Sequence, residues 1–110
     1  RLEGVKYIME IDVLSLKKDL DSGEVVLIDV REPYELDICS IKHSMHIPMN
    51  NIPYSLDRLD RQKSYAIICH SGIRSQSVTN YLANLNFKVK NVIGGIDQWA
   101  IKVDKGMKRY

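Results

Sequence analysis

Tyr65-Ala66-Ile67-Ile68-Cys69-His70-Ser71-Gly72-Ile73-Arg74-Ser75 is the stretch on which the fold turns. Its first four residues form an apolar run with the length and branching of a strand buried on both faces. A short glycine-containing turn follows, then a polar segment with helical character from about Gln76. A buried strand that runs through a tight turn into a helix start makes a cup of backbone N–H donors, and such a cup favours negative charge. A cysteine at its base, with a guanidinium nearby, is favoured as S⁻ over SH. Cys69 is therefore read as an activated nucleophile beside an anion-binding wall, which points to chemistry on an anionic substrate.

Working outward, Val25-Val26-Leu27-Ile28 is a second buried strand. The segment from Val89 to Ile93 is a third, with Val89, Val92 and Ile93 as core candidates. Met45-His46-Ile47 before Pro48 reads as a brief strand, and Ile52 to Leu59 as a turn of helix. Asp12 is placed to cap a helix carrying Val13, Leu14, Leu16 and Leu20. Gln76 to Asn84 sets Val78, Tyr81, Leu82 and Leu85 at helical spacing, and Ile96 to Ile101 carries Trp99 on a short helix. Strands alternating with helices predict an α/β fold with a parallel sheet. Ligands in such folds bind at the carboxyl ends of the strands, and Cys69 stands at one.

Composition narrows the function classes. A chain of 110 residues, 45% hydrophobic, suits one compact domain. Folding should bury roughly 65% of its extended surface, enough for a core without disulfides. The net charge of +2 is too small for a nucleic-acid stripe. No apolar run approaches the ~20 residues of a membrane span, and no leader pattern is seen, so the default expectation is cytoplasmic. Two cysteines, Cys39 and Cys69, are too few for a disulfide scaffold. Residues 1–4 are set aside as a linker or an expression remnant, 5–104 as the domain, and 105–110 as a solvated basic tail.

Four motifs occur in order: Asp29-Val30-Arg31-Glu32, Ile41 through Pro48, the Cys69-to-Ser75 loop, and Gly94-Gly95-Ile96-Asp97-Gln98-Trp99. Together they resemble the rhodanese family of sulfurtransferases over about Asp12 to Trp99. The resemblance implies a five-stranded parallel sheet with helices on both faces. It also implies transfer of a sulfane sulfur through a Cys69 persulfide, without metal or other cofactor. The donor would be a small sulfur anion such as thiosulfate, and the acceptor a thiol, cyanide or a protein; neither nucleic acid nor membrane is a partner. Backbone N–H groups from His70, Ser71, Gly72, Ile73, Arg74 and Ser75 would hold the persulfide, and Arg74 would draw in the donor or stiffen the loop. Asp29, Arg31 and Glu32 resemble structural support for the strand-to-loop junction. The sequence departs from the family where Cys39-Ser40 and His43-Ser44 replace the usual Gly-His and Gly-Ala pairs.

Loop length separates sulfur from phosphate chemistry. Cysteine phosphatases and arsenate reductases also pair a thiolate with arginine, but with five intervening residues; here there are four, His70 to Ile73. No general acid for ester cleavage is evident either. A noncatalytic binding or regulatory module is the other alternative, and retention of the cysteine speaks against it. Cys39 is read as structural rather than as a resolving thiol. Cys39, His43 and His46 lack the companions of a zinc site. His70 is expected to face solvent beside the nucleophile, Trp99 to lie in the core, and Ser71 and Ser75 to donate to the donor or persulfide, with Ser75 also capping the next helix.

Overall fold

In a computed structural model, which describes residues 9–110, five parallel strands form one sheet in the order β1-β5-β4-β2-β3. They are β1 Glu10–Ile11, β2 Val26–Asp29, β3 Met45–His46, β4 Ser64–Ile68 and β5 Lys88–Val92. Four α-helices connect them: α1 Val13–Ser22, α2 Pro33–Ile38, α3 Ile73–Asn84 and α4 Gly95–Lys102. The predicted turn of helix at 52–59 is two short 3₁₀ segments, Met49–Tyr54 and Leu56–Arg58, because Pro53 lacks the N–H that a continuous α-helix needs. The proposed remnant at 1–4 and the domain start at residue 5 lie outside the described residues.

Each face of the sheet is covered. On one side Val78 and Leu82 of α3 close over Ile28, Ile67 and Val89, with Cys69 in the same cluster. On the other, Val13 and Leu16 of α1 and Ile96 and Trp99 of α4 pack on Leu27, Ala66, Ile68 and Val92. The central strands are thus apolar on both sides, which is why they read as unbroken hydrophobic runs. Asp12 caps α1 as expected, its Oδ1 accepting from the Ser15 N–H at 2.8 Å.

Some side chains depart from the periodic reading. Tyr81 and Ile93 are 40% and 49% exposed, so neither belongs to the core; Tyr81 lies at the rim of the helical stripe, and Ile93 follows the last residue of β5. Helix α3 starts three residues before Gln76, since Gly72 takes the cap position in left-handed conformation (φ +107°) and winds the loop straight into the first turn.

The sheet order has a consequence for the site. From β2 the chain moves to β3 on one side, and from β4 to β5 on the other, so the adjacent pair β2 and β4 straddles the point where the direction of winding reverses. Crevices form beyond the carboxyl ends at such a point. Asp29, Val30 and Arg31 leave β2 there, and Cys69 leaves β4.

Candidate active site

Cys69 is 1% exposed, and its sulfur is surrounded by its own loop. The Gly72 N–H donates to Sγ at 3.0 Å and the Ser75 N–H at 3.4 Å, while Ser75 Oγ lies 3.2 Å away. Two backbone amides converging on one sulfur are the donors that a helix N-terminus can offer an anion. Ser71 and Ile73 are exposed on the outer surface of the loop, Ile73 at 77%. Ser75 does not cap α3; it lies inside the first turn, fully buried, with its hydroxyl donating to Asn91 Oδ1.

The loop is anchored from below by Gly95. The Ile96 and Asp97 N–H groups, at the start of α4, donate to the Cys69 and His70 carbonyls at 2.9 and 3.1 Å. Gly95 has φ +60°, and a Cβ there would collide with both of those carbonyl oxygens. Gly95 therefore lets α4 start against the backbone of Cys69 and His70.

Arg74 is engaged within the protein. Its Nη1 and Nη2 form a two-point pair with Glu35 at 2.7 and 2.8 Å. Glu35, on α2 and 3% exposed, also accepts from the Glu32 N–H at 2.8 Å. The Arg74 guanidinium holds its carboxyl down at about 2, against the desolvation that would raise it. Of the two roles foreseen for Arg74, the geometry fits the stiffening of the loop. Glu35 carries no signal of that role in the sequence beyond its place three residues after Glu32.

Asp29 and Arg31 form a buried two-point ion pair, Nη2 to Oδ2 at 2.8 Å and Nε to Oδ1 at 3.0 Å. Burial works against the Arg31 charge, but hydrogen bonds to Asp29 and Tyr110 raise its pKa. Arg31 also donates to the Cys39 carbonyl at 2.8 Å, and its own carbonyl lies 2.7 Å from His46 Nε2. It thereby ties β2, the end of α2 and β3 together. Glu32 is exposed and starts α2. Cys39 packs against the Trp99 cluster and Cys69 against the α3 cluster, on opposite faces of the sheet.

The last two residues of the chain, though exposed, contact the site. Arg109 pairs with Asp97 at 2.9 Å. The Tyr110 ring stacks on His70 with centroids 4.0 Å apart, and its hydroxyl accepts from Arg31 Nη1 at 2.9 Å and donates to Glu35 Oε1 at 2.8 Å. His70 is accordingly half-buried under an aromatic ring rather than turned to solvent. A tyrosine can make this bridge because it carries a flat apolar body and a polar tip. Burial pushes its phenol up to about 12, so it remains a donor at neutral pH. His43, where the sequence departs from the family's glycine, sits in a turn at φ +67°, a left-handed position that glycine fills without strain.

Comparison with known proteins agrees with this architecture. Residues 12–102 match the family described as Rhodanese-like domain. YtwF of Bacillus subtilis (strain 168) is 42% identical over 93 residues, covering 84% of this chain and 90% of its own length. A protein named Sulfurtransferase from Allochromatium vinosum is 36% identical over 93 residues, covering 83% and 87%. The crystal structure of a rhodanese-related protein from Thermoplasma volcanium superposes with a TM-score of 0.80 at 33% identity, over 86% of this chain and 92% of that one. With the four motifs, the parallel sheet and the cysteine loop at its carboxyl edge, the chain belongs to the rhodanese-like domain family.

Proposed function

We propose that this domain is a sulfurtransferase that carries sulfane sulfur as a persulfide on Cys69. The observation that carries the reading is the convergence of the Gly72 and Ser75 amides on Sγ, at 3.0 and 3.4 Å. In the proposed reaction the Cys69 thiolate attacks the outer sulfur of thiosulfate. The Sγ–S bond forms, the S–S bond of the donor breaks, and sulfite leaves with the electron pair. Cys69 then bears –S–S⁻. Attack on the outer sulfur by cyanide or a thiolate forms the product and returns the Cys69 thiolate, so charge balances in both halves and no redox partner is needed. The loop amides steady the anionic sulfur at each stage.

Arg74 contributes through its pair with Glu35, which fixes the first turn of α3 and with it the Ser75 amide. The 1% exposure of Cys69 favours the second reading, a noncatalytic module. One experiment separates the two. Thiosulfate treatment should add the mass of one sulfur atom to Cys69, the gain should vanish in Cys69→Ala, and cyanide should reverse it. No mass gain from thiosulfate or from glutathione persulfide would end the sulfurtransferase reading.

A further inference from the structure

Asn91 lies outside the cysteine loop yet touches both residues that hold the sulfur. It stands on β5 and is 5% exposed. Its Nδ2 donates to the Gly72 carbonyl at 3.1 Å and to Gln76 Oε1 at 3.2 Å, and its Oδ1 accepts from Ser75 Oγ. The orientation of this amide is dictated by the Gly72 carbonyl, which can only accept; turning the amide over would set oxygen against oxygen. Oδ1 must therefore face Ser75. Ser75 has one hydroxyl proton, and Asn91 takes it, so Oγ presents a lone pair to Cys69 Sγ at 3.2 Å.

We propose that Asn91 is a positioning residue for the nucleophile: it draws the Ser75 proton away from the sulfur, so that Ser75 meets the neutral thiol as an acceptor. Once the sulfur is ionised, Sγ and Asn91 Oδ1 compete for that single proton. With an apolar side chain at position 91 the competition disappears, and the Ser75 hydroxyl turns to donate to Sγ. Residues 75 and 91 thus act on Cys69 as a coupled pair and not independently. The inference rests on the reading of Cys69 as the reacting sulfur.

The test is a double-mutant cycle on the iodoacetamide alkylation rate at fixed neutral pH, in a Cys39→Ser background where Cys69 is the sole thiol. With Asn91 present, Ser75→Ala should change the rate by less than about threefold, because the hydroxyl proton is already engaged. In Asn91→Leu the same substitution should slow alkylation about fivefold or more, because a charge-assisted donor is lost. The same ratio in both backgrounds, within about twofold, overturns the proposal; so does a coupling of the same sign and size in the urea-unfolding stability of the four variants, since hydrogen-bonded neighbours also couple through structure alone. Far-UV circular dichroism checks folding, and Asn91→Val, suited to a strand, replaces Asn91→Leu if the latter does not fold. Alkylation needs no sulfur transfer, so the two readings fail separately. Coupling in a protein that takes up no sulfur upholds the role of Asn91 and sinks the proposed activity; sulfur uptake with additive alkylation does the reverse.

Discussion

Replacing Glu35 by Gln removes one negative charge from beneath the loop while keeping the side chain's shape, so its effect measures the Arg74–Glu35 pair. Glu35 is 3% exposed and its carboxyl is held at about 2, against an ordinary value of 4.5. That span corresponds to about 3 kcal/mol at neutral pH. Arg74 is about one-third exposed, so solvent screens part of the interaction, and a loss of about 2–3 kcal/mol is expected. In a domain of this size the shift in Tm should be on the order of 10 °C.

The pH dependence has a definite sign. A carboxyl whose folded pKa is depressed adds stability above its unfolded value and loses it as pH falls through the folded one. The gap between wild type and Glu35→Gln should therefore be constant from pH 6 to 8, fall below about half by pH 3, and close near pH 2. Urea unfolding followed by the fluorescence of Trp99, the sole tryptophan and a buried one, reads this directly. A gap below about 1 kcal/mol at pH 7, or one that stays flat down to pH 3, would refute the assignment.

Three further outcomes follow from local geometry. Gly95→Ala should cost about 3 kcal/mol or more, because a left-handed backbone and two fixed carbonyls both oppose the methyl group. Gly72→Ala, strained in φ but with only ordinary contacts around its Cβ, should cost about 1–2 kcal/mol; equal thermal-unfolding losses would contradict the close approach at Gly95. His43→Gly should stabilise by about 0.5 kcal/mol in chemical denaturation, relief of the positive φ slightly outweighing the extra freedom of the unfolded chain. In ultraviolet titration Tyr110→Phe should abolish a phenol ionisation near 12. The stability that the wild-type phenol contributes should be complete below about 10 and lost as pH rises from there through about 12, and a lost ionisation centred near 10 would refute the raised phenol.

Much of this site is legible in the chain because its parts are local. The apolar run into Cys69, the glycine that curls the loop and the Gly-Gly start of α4 each declare themselves within a few residues. Asp29 and Arg31 are two positions apart and pair across that short span. What is hidden is the long-range half. Glu35 meets Arg74 across 39 residues and Arg31 meets Tyr110 across 79, and nothing in local periodicity reports such a meeting. Pro33, at the first position of α2, marks that helix in retrospect. Asn91 leaves a fainter trace as a polar residue between Val89 and Val92 of a buried strand, where it must find partners or be costly. Arg74 was readable as a charge but not as one already neutralised, because its partner lies on another element.

The order in which the polypeptide is made gives the Gly95 and Asn91 contacts a meaning of their own. A nascent chain that has emerged only through Asn84 contains the thiol, β2, β4 and α3, but none of β5, α4 or Tyr110. On the ribosome, Cys69 is thus made before the residues that shelter it, and the finished pocket arrives only when β5 and α4 have followed.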